Sequence, residues 1–114
     1  MHELSIALSL VDVAQEEAIR LGARVCVVHV RIGALAGVVP EALQASYEMA
    51  CAATSLEGSR LVIEQVPVVV FCPSCQTERE LGSVQSFCCA ECGTPTPQVA
   101  RGRELELVAL EIEQ

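Results

Sequence analysis

Five cysteines crowd residues 72–97, and four of them form two C-x2-C pairs, CPSC at 72–75 and CAEC at 89–92. The overall spacing, C-x2-C-x13-C-x2-C, is that of a tetrathiolate zinc site. Each pair presents two thiolates from a tight turn. Four thiolates close a tetrahedral site that is structural and leaves no position open for chemistry. Cys88 offers a second register. Pairing Cys89 with Cys92 leaves two residues between ligands and puts Gly93 next, where a knuckle needs a left-handed residue. The expected ligands are therefore Cys72, Cys75, Cys89 and Cys92, with Cys88 spare. A redox dithiol pair is the alternative chemistry. Cys26 and Cys51 lie in apolar surroundings and read as small buried hydrophobes.

A second set of donors stands at the start of the chain, in Met1-His2-Glu3. The bulk of His2 disfavours removal of Met1, so the α-amine belongs to Met1. That amine, the His2 amide nitrogen and the His2 imidazole close adjacent chelate rings on one metal. The Glu3 amide nitrogen completes a near-planar set of four nitrogens. Such a tetragonal set suits Ni(II) or Cu(II) rather than Zn(II). On spacing alone it competes with a plainer reading, a solvated histidine ahead of a helix. His29 is expected as a surface strand residue rather than a ligand.

The 114 residues bound the answer to one domain, or one domain with a small insert. Hydrophobic residues make up 52% of the chain, with two Phe, one Tyr and no Trp, so the core must rest on Val, Leu, Ile and Ala. All seven basic residues are Arg and the formal net charge is −8, which argues against a phosphate-binding surface. Within 72–97, Arg79 stands between Glu78 and Glu80, unlike a zinc ribbon built for nucleic acid. No apolar run approaches the roughly 20 residues of a membrane span, and the start has no charged n-region of a signal peptide. A cytoplasmic location is expected, and in a reducing compartment seven cysteines point to metal before disulfides.

Several elements must position these donors. Residues 4–21 read as a helix with Leu4, Leu8, Val11, Ala18 and Leu21 inward, an ion pair between Glu16 and Arg20, and Gly22 as its cap. Residues 25–32 alternate as a strand. Pro40 starts a second helix over 40–53, with Glu41 in its first turn. Residues 60–66 and 104–113 read as further strands. In the last, Leu105 and Leu107 share one parity while Leu110 and Ile112 share the other, which predicts a bulge or burial on both faces. Residues 72–97 are too poor in branched aliphatics for a core of their own and need a staple.

MHELSIA at the start, RIGALAGVVPEAL at 31–43, the paired Cys knuckles and RELELVALEIE at 103–113 together resemble the HypA/HybF family, over essentially the whole chain. These are nickel-insertion accessory proteins for NiFe-hydrogenase maturation. The resemblance implies an α+β fold, two helices packed on a three-stranded mixed sheet, with an inserted four-cysteine zinc-ribbon-like domain. It implies a nickel-binding α/β domain at 1–69 and 99–114 and a zinc-binding domain at 70–98. It implies structural Zn²⁺, and transported Ni²⁺ held at Met1, His2 and Glu3, with Glu3 either binding or shaping that site. It also implies a GTPase maturation factor as partner and delivery to the hydrogenase large subunit; some relatives serve urease. One feature departs from the family pattern. Some members place a histidine near the zinc domain, whereas position 98 here is Gln. The expected function is carriage rather than catalysis, with a homodimer left open. A zinc-ribbon protein–protein adaptor without mobile metal is the alternative.

Overall fold

A computed structural model describes residues 2–113. The chain runs α1 (Glu3–Leu21), β1 (Arg24–Gly33), α2 (Pro40–Cys51), β2 (Arg60–Val66), β3 (Val69–Cys72), β4 (Thr77–Glu80), β5 (Val99–Arg101) and β6 (Leu105–Glu113). It divides into two compact units. The first takes residues up to Arg31, Gly37–Glu64 and from Glu106 onward; the second takes Ile32–Ala36 and Gln65–Leu105.

In the first unit, two helices accompany a mixed three-stranded sheet of order β2-β1-β6. Chain separations give the strand directions. Arg24 to Glu57 and Arg31 to Glu64 both span 33 residues, as parallel neighbours do. Arg31 to Glu106 spans 75 and Cys26 to Glu111 spans 85, the drift of an antiparallel pair. β1 is the central strand and is buried at Val25, Val27, Val28, Val30 and Ile32.

Helix α1 ends where Gly22 adopts φ 61°, ψ 35°, so its amide and that of Ala23 close back onto Ile19 and Ala18. Its buried stripe is Ala7, Val11, Ala14 and Ala18. This differs from the expected inward face, for Leu4, Leu8 and Leu21 are 44%, 48% and 47% exposed. Small residues allow α1 and α2 to pack closely, and the bulkier leucines are left at the margin. Arg20 pairs with Glu17 at 2.7 Å rather than with Glu16. Helix α2 buries Leu43, Tyr47, Ala50 and Cys51, and Gln44 Nε2 donates to the Leu61 carbonyl of β2 at 2.8 Å. It stops at Cys51 rather than continuing to residue 53, where Ala53 takes φ 62°.

Burial of β6 on both faces, one expectation from its parity switch, does not hold, since Leu105, Val108 and Ile112 are exposed. Across the β1–β6 pair, His29 meets Glu111 and Arg31 meets Glu106 through side-chain ion pairs.

The second unit is built on an antiparallel sheet of order β4-β3-β5, three short strands absent from the sequence reading. The segment Gly33–Leu35 belongs here. Its amides donate to Glu104, Val66 and Gly102 at 2.8, 3.0 and 2.7 Å. A Cβ at position 33 would stand 2.1 Å from the Gly102 carbonyl, so only glycine fits this approach.

Candidate metal centres

The four-cysteine group grows from two matching turns. In the first, Cys72 ends β3 and the Gln76 amide donates to the Cys72 carbonyl at 2.8 Å. In the second, the Gly93 amide donates to the Cys89 carbonyl at 2.8 Å. Each turn closes through a left-handed residue, Gln76 at φ 56° and Gly93 at φ 75°. Side-chain bonds join the knuckles, since Thr94 Oγ1 meets both Cys92 Sγ at 3.1 Å and Ser74 Oγ at 3.0 Å.

The sulfurs of Cys72, Cys75, Cys89 and Cys92 all lie within 4.8 Å of one another. Cys72 to Cys92 is 3.5 Å and Cys75 to Cys89 is 3.9 Å. A tetrahedron with Zn–S bonds of about 2.3 Å has sulfurs about 3.8 Å apart. The four thiols therefore stand at metal-ligand spacing, well beyond a disulfide bond. Cys88 lies outside the group, bridged through its backbone to Pro95.

The electrostatics favour thiolates at Cys89 and Cys92. The amides of Cys92 and Glu91 hold the Cys89 thiol down at about 6, so it is ionised at neutral pH. Cys92 is lowered by Thr94. Cys75 is pulled down by the Arg79 guanidinium, but hydrogen bonds to Cys92 and Cys72, with burial, outweigh this and push it up to about 11. Such splitting is what shared protons within a sulfur cluster produce. The donor set fits a thiophilic cation such as Zn²⁺, which these four residues would hold.

The chain's start offers a different environment. His2 is the N-cap of α1 at φ −87°, ψ 96°; its carbonyl accepts the first helical bond, from Ile6 at 3.2 Å, and its side chain makes no capping bond. The imidazole is exposed and uncommitted to the helix. As N-cap and N1, the His2 and Glu3 amides belong to the four that an α-helix leaves unpaired. The Glu3 carboxylate accepts the amide of Val39 at 3.1 Å, and Val39 is the N-cap of α2. This bond holds the Glu3 carboxyl below its ordinary value. Met1 lies outside the described residues. His29 Nε2 is engaged by Glu111 Oε2 at 2.5 Å on the sheet. Gln98 meets β3 through its carbonyl, which accepts from Phe71 at 3.0 Å.

Two contacts of this site escaped the sequence reading. The bond from Glu3 to Val39 links residues 36 apart and leaves no local pattern. The Arg79 guanidinium reaches the thiols because its strand pairs with the one that delivers Cys72; only the strand register reveals this.

Residues 1–112 match the sequence model of a family described as hydrogenase/urease nickel incorporation, metallochaperone, hypA. A hydrogenase maturation factor HypA from Chloroflexus aurantiacus is 53% identical over 112 residues, covering 97% of this chain and 98% of that protein. One from Roseiflexus is 51% identical over 114 residues, covering 99% and 93%. Two solution structures share the fold at 23% identity. One, described as HypA protein, has a TM-score of 0.72 and covers 99% of this chain and 97% of its own. The other, the Ni metallochaperone HypA from Helicobacter pylori, has a TM-score of 0.65 and covers 98% and 97%.

Proposed function

This chain belongs to the HypA family of nickel-incorporation metallochaperones of hydrogenase maturation, and from that premise we propose that it carries Ni(II) on its N-terminus. The ligands are the Met1 amine, the His2 amide and imidazole nitrogens and the Glu3 amide nitrogen. The observation that carries this reading is the use of His2 as an N-cap whose side chain caps nothing. The backbone fixes the residue while its imidazole stays available. Deprotonating the His2 and Glu3 amides breaks no helical bond, and the positive end of the α1 dipole stabilises the resulting negative charge. Glu3 shapes the site through its bond to Val39 and leaves nickel to its backbone nitrogen.

Cargo must also leave. Four nitrogens of one terminus form an exposed site, and protonation of the imidazole or an amide removes a ligand and opens the ring system. Docking on an acceptor that displaces one nitrogen acts in the same way. The acceptor in this reading is the large subunit of NiFe-hydrogenase. Release is timed by a GTPase maturation factor, in the cytoplasm. The division of labour assigns nickel to residues 1–69 and 99–114. Structural Zn²⁺ on Cys72, Cys75, Cys89 and Cys92 belongs to residues 70–98, where it supplies folding energy.

Acetylating the Met1 amine tests the terminal site. The acetylated chain should lose most nickel uptake in calorimetry while keeping its zinc. Equal uptake by the free and acetylated chains would exclude the terminal set, and retention of zinc without any nickel binding by the free chain would favour an adaptor.

A further inference from the structure

Arg79 is the only cation in residues 72–97, and it sits between two glutamates. A surface arginine in that setting normally pairs with a carboxylate. Among the described residues, no carboxylate bridges Arg79, while its neighbour Glu78 is taken by Arg101 at 3.2 Å. Alternation along β4 separates Arg79 from Glu78 and Glu80, and the strand register sets it opposite Val70, which is fully buried. The residue is half-buried, and its Nε is buried without a hydrogen-bond partner. On the other side the guanidinium comes within hydrogen-bonding reach of the Cys75 and Cys89 thiols, and those bonds raise its pKa. A guanidinium turned inward is stable only where an anion receives it. Here the available anion is sulfur. Four thiolates around one Zn²⁺ carry a formal excess of two negative charges.

We propose that Arg79 is the counter-charge of the tetrathiolate centre, offsetting part of its negative charge and slowing the loss of zinc. This rests on the reading of Cys72, Cys75, Cys89 and Cys92 as the zinc ligands. Arg79 is a positioning residue that acts through Cys75 and Cys89. The guanidinium withdraws electron density from these two sulfurs and orients them, as hydrogen-bonded neighbours do for metal ligands generally. A lysine retains the charge but loses the planar fork that addresses two sulfurs together.

The test uses the full chain, loaded with zinc and separately with Co²⁺, as wild type, Arg79→Gln and Arg79→Lys. Arg79→Gln should release zinc to a colorimetric chelator about tenfold faster than wild type. Its cobalt form should show the sulfur-to-metal charge-transfer band at longer wavelength, because the sulfurs become more electron-rich. Arg79→Lys should fall between the two in both readouts. Faster release with an unmoved band would mean that Arg79 only supports the turn, and would overturn the proposal. Unchanged release would overturn it as well. A wild-type chain that takes up neither metal would overturn the four-cysteine reading itself, an outcome visible before any variant is compared.

Discussion

Glu3 serves two helices at once. It is the first residue of α1, and its carboxylate accepts the amide that opens α2. The N-cap of α2 is Val39, which has no side-chain acceptor, so Glu3 provides from a distance what a Ser or Asp cap provides locally. The bond has a pH signature. Glu3 is lowered from its ordinary value of 4.5, so the stabilisation is complete above that pH and is lost as pH falls through the lowered value. The Val39 amide proton should move upfield in NMR spectra as the bond breaks in acid, and in Glu3→Gln that titration should vanish. A Val39 resonance that ignores acid in the wild type would deny the contact. The residue scale was read unevenly. The four cysteines were legible because a knuckle is local and its spacing is its geometry. The bond from Glu3 to Val39 was not legible, since the loop that brings Val39 to it is a tertiary event.

At the scale of elements, α1 teaches that volume as well as hydrophobicity selects the buried face. Ala7, Val11, Ala14 and Ala18 recur at helical spacing and pack inward, while the larger leucines sit at the edges. A period argument weighted by hydrophobicity favours leucine and misplaces the stripe. Enlarging the stripe should be costly. Ala14 is fully buried, and Ala14→Leu should destabilise the first unit by about 1–3 kcal/mol through overpacking. Leu8→Ala, at an exposed site, should change stability by under about 1 kcal/mol. Chemical denaturation of both variants checks the contrast, and a reversed order would return the leucines to the core. Strands β3, β4 and β5 were hidden. They span only four, four and three residues, too short for periodicity to speak.

At the scale of the whole molecule, the two units draw stability from different sources. The first has an apolar core that includes Leu43, Leu56, Val25 and Val28, all under 2% exposed. The second buries fewer apolar side chains, among them Val66, Val68, Val69, Val70, Cys72 and Cys89, and under the proposed zinc assignment it draws on the ion as well. Cys75→Ser should therefore lose zinc and sharply raise hydrogen exchange across residues 72–97, while α1 and β1 remain protected. Full protection of that stretch without metal would show that the sheet stands unaided.

The central claim is that the terminus carries the cargo. Calorimetric titration of Ni²⁺ into untagged, zinc-loaded wild type and His2→Ala tests it most directly. Wild type should bind one nickel per chain and His2→Ala none tightly, with zinc content and circular dichroism unchanged. Unaltered nickel stoichiometry and affinity in His2→Ala would contradict it.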